Sequence, residues 1–123
     1  MLRKDYLLAQ IEELAKKFSR LIEKKEAGNP DTLPVADECY GMLGISARWI
    51  EETETEDIIS HIAIWELLEL LVKIMLEDSR LNTDRRNMRK AQEILFYVQE
   101  NDRTYSLERV ALEERIEQLL QNL

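Results

Sequence analysis

His61 is the single histidine of this chain, and Asp57 stands four residues before it. On a helix that spacing brings a carboxylate beside the imidazole, where it raises the pKa or fixes the tautomer. Glu54, Asp57 and His61 together also have the residue types of a metal site. Helical di-metal bundles, however, take Glu-x-x-His from each of two helices plus further glutamates, and one histidine cannot supply that set. In a continuous helix His61 also falls in line with Trp65, Leu68 and Val72 on an apolar face, which favours packing over ligation. Cys39 lies on an apolar face too, with no second cysteine. A nucleophile needs a neighbouring base and oxyanion donors, and nothing in the spacing implies either. No Gly-rich phosphate loop occurs, which removes nucleotide binding by that route. The inventory points away from an enzyme and implies no cofactor and no metal.

Two further groupings invite a binding role. Arg80, Arg85, Arg86, Arg89 and Lys90 form the one basic cluster. Arg85, Arg86 and Arg89 fall in the first turns of a predicted helix, the unfavourable end for cations. Either they bridge to the acidic middle of the same chain, or they form a patch for a phosphate, an acidic peptide or RNA. The lack of interleaved aromatic residues counts against RNA. The second grouping is a pocket lined by Tyr40, Trp49, His61 and Trp65, with Met75, anchored by His61 or an arginine of 80–89.

The elements that must position these residues read as all-α. Three glycines and two prolines leave little material for turns, and the rest is rich in strong helix formers. A first helix is predicted over Arg3–Ala27, with Leu7, Ile11, Leu14, Phe18 and Leu21 spaced 4-3-4-3 and Leu8, Ala15 and Ile22 widening the stripe. Glu12–Lys16 and Glu13–Lys17 are expected i,i+4 pairs. Gly28-Asn29-Pro30-Asp31 ends it. A short second helix covers Leu33–Leu43, burying Ala36, Cys39, Tyr40 and Leu43. Gly41 inside it suggests a close helix crossing, Gly44 is a candidate C-cap, and Ser46 opens a turn holding Trp49 and Ile50.

The segment 51–57 reads EETETED, with Thr53-x-x-Glu56 as a capping box. A third helix is predicted from Glu54 to Asp78. Within it, Ile62–Leu76 has only Glu66, Glu69 and Lys73 as charged residues. These share one narrow stripe, so all other faces require burial. Thr83 or Asp84 caps a fourth helix, Arg85–Glu100, with Met88, Ala91, Leu95 and Val98 facing inward beside Ile94 and Tyr97. A fifth, Tyr105–Asn122, carries Leu112, Ile116, Leu119 and Leu123, with Leu120 beside them. The tight turn between the last two makes them antiparallel neighbours, a hairpin laid out like a tetratricopeptide unit without its Trp, Gly and Pro positions.

The expectation is therefore one domain, 1–123, of about five helices in a bundle or short superhelix. The formal charge is −8, unevenly spread. Residues 1–27 carry seven Lys/Arg against five Asp/Glu, residues 28–79 two against twelve, and residues 80–123 eight of each. The acidic middle repels phosphates and disfavours nucleic acid. Membrane-surface binding by the amphipathic first helix is opposed by its five acids. The N-terminus has no apolar h-region of a signal peptide, and the apolar segment is too short to span a bilayer. One cysteine suits a reduced, cytoplasmic setting.

The opening Met1-Leu2-Arg3-Lys4-Asp5-Tyr6-Leu7, followed by Gln10-Ile11-Glu12 and Leu14, resembles the start of a small bacterial family of unknown function. Leu43-Gly44 matches the end of that family's short second helix, and the acidic segment 51–57 departs from its Leu-rich middle. The resemblance implies an all-helical bundle or superhelix with tetratricopeptide-like C-terminal helices. It implies no activity, cofactor or site residue. The expected function is a non-enzymatic interaction module that docks another protein or a second copy of itself. The alternative is a regulatory protein that binds a small ligand or an anion between its helices.

Overall fold

A computed structural model describes residues 2–123, with side chains from Lys4 onward; Met1 lies outside the described residues. They form seven α-helices and no strand: α1 Leu2–Glu26, α2 Leu33–Met42, α3 Ala47–Glu52, α4 Thr55–Ile62, α5 Trp65–Glu77, α6 Arg85–Asn101 and α7 Leu107–Gln121. The all-helical expectation holds, with seven helices instead of five. None is long and apolar enough to cross a membrane.

The helix α5 sits at the centre because its composition leaves no other place for it. Leu67, Leu68, Leu70, Leu71, Val72, Ile74, Met75 and Leu76 are all buried. One side of α5 packs against α1 and α2, the other against α6, with α4 folded beside both α5 and α6. From α1 come Leu14 and Leu21, from α2 Ala36, Cys39 and Tyr40, and from α6 Met88, Ala91, Ile94, Leu95 and Val98. On α7, Leu112, Ile116 and Leu120 close the core, while Leu123 stays exposed.

Local signals fix most helix ends. Gly28 and Gly44 have φ of +74° and +71°. Each ends a helix in a Schellman turn: the Asn29 amide donates to the Lys24 carbonyl and the Ile45 amide to the Tyr40 carbonyl, both at 3.0 Å. The Ser46 hydroxyl accepts from the Trp49 amide, so the turn predicted there is a full short helix, α3. Of the two candidate caps for α6, Asp84 is the one used, accepting from the Arg86 and Asn87 amides.

The predicted 25-residue helix from Glu54 to Asp78 is not continuous. Ala63 takes a left-handed conformation, φ +66°, and separates α4 from α5. A straight helix of that length runs about 37 Å and carries its first turns past the core. The break instead folds α4 back over α6, where Ile58 and Ile62 are buried. The Thr53 capping box does not form either. Thr53 ends α3, and Glu54 takes the cap position of α4 without its side chain accepting from a backbone amide of that helix.

Two of the three charged residues on the stripe of α5 are covered, while Glu66 has no ion pair among the described residues. Glu69 pairs with Arg109 and Lys73 with Glu108, and one turn further Glu77 pairs with Arg115. α7 therefore covers the stripe with a complementary row of charges. On α1 the expected i,i+4 pairs give way to Glu13–Lys16 and to a cross-helix Lys17–Glu38 contact at 3.5 Å.

Gly41 and Ala63 are mismatched to their backbones in opposite senses. A Cβ on Gly41 meets nothing within 4 Å, so no close crossing explains that glycine. Ala63 carries a Cβ where a glycine fits better. Gly41→Ala and Ala63→Gly are each expected to raise unfolding free energy by about 0.5–1 kcal/mol in urea melts. A loss of stability at Ala63→Gly would refute the strained turn between α4 and α5.

Candidate protein-docking surface

The five residues of the basic cluster do not converge. Arg80 donates to the Asp78 carboxylate through Nε at 3.1 Å and Nη2 at 3.0 Å, and to Asp37 at 2.8 Å. These carboxylates hold its guanidinium above its ordinary pKa. Arg85 caps the far end of α7 by donating to the Leu120 carbonyl at 2.9 Å. Arg86 reaches Glu54 at 3.3 Å. Lys90 is buried, and its ammonium donates to the Ile50 and Glu51 carbonyls at 2.8 and 2.9 Å. It closes the C-terminal end of α3, where a cation is favoured. Burial, then the nearby Arg86 charge, lowers its pKa. Arg89 alone is exposed with no ion pair or hydrogen bond among the described residues. The acidic middle of the chain supplies Asp37, Glu54 and Asp78 as partners.

Of the four pocket residues, Trp49 and His61 pack together, while Tyr40 and Trp65 each have other partners. Tyr40 is fully buried, and its hydroxyl donates to Asp78 at 2.7 Å. Burial first, then the Asp78 charge, pushes its pKa far up. Trp49 and His61 form an aromatic pair with centroids 5.0 Å apart. Trp65 lies under the Arg109 guanidinium, 5.7 Å from Cζ to the ring centre. Met75 is sealed in the core. The break at Ala63 turns His61 away from Trp65, so the apolar line through Leu68 and Val72 does not include it; His61 is exposed. Among the described residues no group of three or more His, Cys, Asp or Glu is placed to hold a metal ion.

Sequence reading missed the most connected polar residue, Arg109. Its side chain is 2% exposed. Nε donates to Glu69 at 2.8 Å, Nη1 to Gln99 at 3.1 Å and Nη2 to Asp102 at 2.8 Å. One guanidinium thus joins α5, the end of α6 and the start of α7. Its only sequence signal is an arginine in the first turn of a helix, where a cation needs compensation. Glu77 is the second such node, accepting from Lys25 of α1 at 2.7 Å and from Arg115 of α7.

The outward face of α6 differs in kind. Phe96 is 66% exposed although its neighbour Leu95 is buried. It forms a ridge between two grooves. One, about 480 Å³, runs between α4 and α6 and is lined by Thr55, Glu56, Ile59, Gln92, Glu93 and Phe96. The other, about 260 Å³, runs between α6 and α7 and is lined by Gln92, Leu95, Phe96, Glu113, Ile116 and Glu117. A third, about 310 Å³, lies between α1 and α2 beside Tyr6 and Met42. The pocket residues Tyr40, Trp49, His61 and Trp65 line none of the three.

No family model, curated protein or solved structure matches this chain.

Two outcomes follow from the buried groups. Burial pushes the Glu77 carboxyl up, but hydrogen bonds from Arg115 and Lys25 outweigh it and hold the pKa below the usual range. A lowered folded pKa contributes stability above the ordinary Glu value of about 4.3, lost as pH falls through the folded value. Glu77→Gln is therefore expected to be less stable than wild type at pH 7, with the gap closing on acidification below about pH 4; a gap independent of pH would contradict the pairing. Burial pushes the Cys39 thiol up to about 11. Iodoacetamide at pH 8.5 is expected to leave native Cys39 unmodified and to label it in urea. Labelling of the native protein at the unfolded rate would show that the α1–α2 contact is open.

Proposed function

We propose that the chain is a non-enzymatic docking module that binds a helical segment of another protein on the face where α6 lies between α4 and α7. The carrying observation is Phe96, a large aromatic held on a ridge with an apolar-floored groove on either side. Isolated exposed apolar residues are ordinary, but an aromatic flanked by two clefts has the form of an interface anchor. Binding is favoured over catalysis by the same inventory. The Cys39 thiol is sealed and protonated, and His61 has a tryptophan as its ring neighbour, with no hydrogen bond to a carboxylate among the described residues. The small-ligand alternative draws no support from the three grooves, since Tyr40, Trp49, His61 and Trp65 line none of them.

A displayed library of helical peptides, selected against the chain, tests this. Selected peptides are expected to lose about tenfold or more in affinity on Phe96→Ala, with the thermal melt unchanged because the side chain is mostly exposed. Selected binders that are indifferent to Phe96→Ala would overturn the proposed face.

A further inference from the structure

We infer that the segment docked on this face is a basic amphipathic helix of a partner protein, an inference that rests on the docking reading above. The charges around the grooves carry it. Glu56 and Glu93 stand on the α4–α6 groove, Glu113 and Glu117 on the α6–α7 groove, and no Lys or Arg lines either. Between packed helices and at their ends, by contrast, carboxylates are matched, while others on the open surface, such as Glu12 and Glu23, are as unpaired among the described residues as those of the grooves. Asp37, Asp78, Glu54, Glu69, Glu77 and Asp102 all meet a cation from another element or turn. Glu56, Glu93, Glu113 and Glu117 have no ion pair among the described residues; Glu93 accepts only the neutral Thr55 hydroxyl, at 2.6 Å. Glu113 and Glu117 stand i,i+4 on α7, a like-charge spacing that costs the helix a few tenths of a kcal/mol. A cationic partner relieves that repulsion.

The cations on the same side lie at the other end of α6. Arg89 stands seven residues before Phe96, about 10 Å along the helix. Arg86 is already engaged with Glu54 and Arg85 with the Leu120 carbonyl. The surface therefore offers four carboxylates without an ion pair among the described residues around an apolar ridge, with no Lys or Arg lining either groove. The shape agrees with a helical occupant. Each groove spans about one turn of each wall, residues 55–59 against 92–96 and 92–96 against 113–117. Each thus has room for an anchor side chain, and two anchors on one face of a helix straddle Phe96. Lys or Arg beside those anchors reaches the rim carboxylates, which steers association and sets specificity. A second copy bound face to face sets four carboxylates against four, since a two-fold contact places the same patch on both sides.

Two synthetic amphipathic helices of about 18 residues, with the same leucine face, provide the probe. One has a Lys/Arg polar face, the other a Glu polar face. Fluorescence anisotropy with the full chain is expected to show binding of the basic peptide only. That binding is expected to weaken about tenfold on Phe96→Ala and severalfold between about 50 and 300 mM salt. The double variant Glu113→Gln/Glu117→Gln is expected to weaken it severalfold as well. Glu12→Gln/Glu23→Gln on the remote α1 removes the same charge and is expected to leave it unchanged. Equal loss in the two double variants would reduce the effect to net charge and overturn the inference. Phe96-dependent binding of the acidic peptide would overturn the basic partner while leaving the docking face standing. Binding of neither peptide would overturn the basic helix, with the library selection deciding whether the face docks anything. Phe96-dependent self-association in sedimentation would make the occupant a second copy, and the inference would fail.

Discussion

A helix that is apolar on nearly every side cannot lie on a surface, and α5 imposes that constraint on all its neighbours. Eight of its thirteen residues are buried. Each is worth about 1.5–3 kcal/mol for leaving water, far more than any one exposed ion pair at about 0–1 kcal/mol. Apolar enclosure therefore decides that α1, α2, α4 and α6 gather around it. The charges of α5 decide something narrower. Glu69, Lys73 and Glu77 fall on one stripe, and Arg109, Glu108 and Arg115 of α7 match them in order of sign. Shifted by one step along the row, the same helix sets like charges together. The ion pairs thus select the placement of α7 on a core that burial stabilises.

Much of this was legible in the chain. The 4-3 spacing of α1, the inward set Met88, Ala91, Leu95 and Val98, and the punctuation at Gly28, Gly44 and Ser46 are local, and local physics fixes them. The break at Ala63 was not legible, because neither glycine nor proline marks it. Burying Ile58 and Ile62 against α6 while α5 passes through the core requires a change of direction that only the assembled helices reveal. Ion partners were illegible for the same reason. Lys17 turns to Glu38 on α2, and four of the basic cluster's five residues find separate partners on α2, α7 and the segments around α3. Arg109 showed only as a cation at the wrong end of a helix. Phe96 lies about 100° around α6 from Leu95, off the inward stripe, and that offset was the available signal for the docking face.

The helix α6 links fold and proposed function. Its inner face holds Met88, Ile94 and Val98 in the core, its Lys90 seals the end of α3, and its outer face presents Phe96. The α4 that folds back at Ala63 makes one wall of the larger groove, and the α7 placed by its charge row makes the other groove's wall. A surface assembled this way depends on α5 twice, once for each flanking helix. The carboxylates of Glu69, Glu77, Asp78 and Asp102 are matched with cations; those on the groove rims have no ion pair among the described residues.

Native-state hydrogen exchange read residue by residue addresses the enclosure of α5 most directly. Amides from Leu68 to Leu76 are expected to exchange only through global unfolding, with protection equal to the full unfolding free energy and a matching denaturant slope. Exchange of the same amides through local openings, at lower free energy than those of α1 or α6, would mean that water reaches this helix in the native state and that its neighbours do not enclose it.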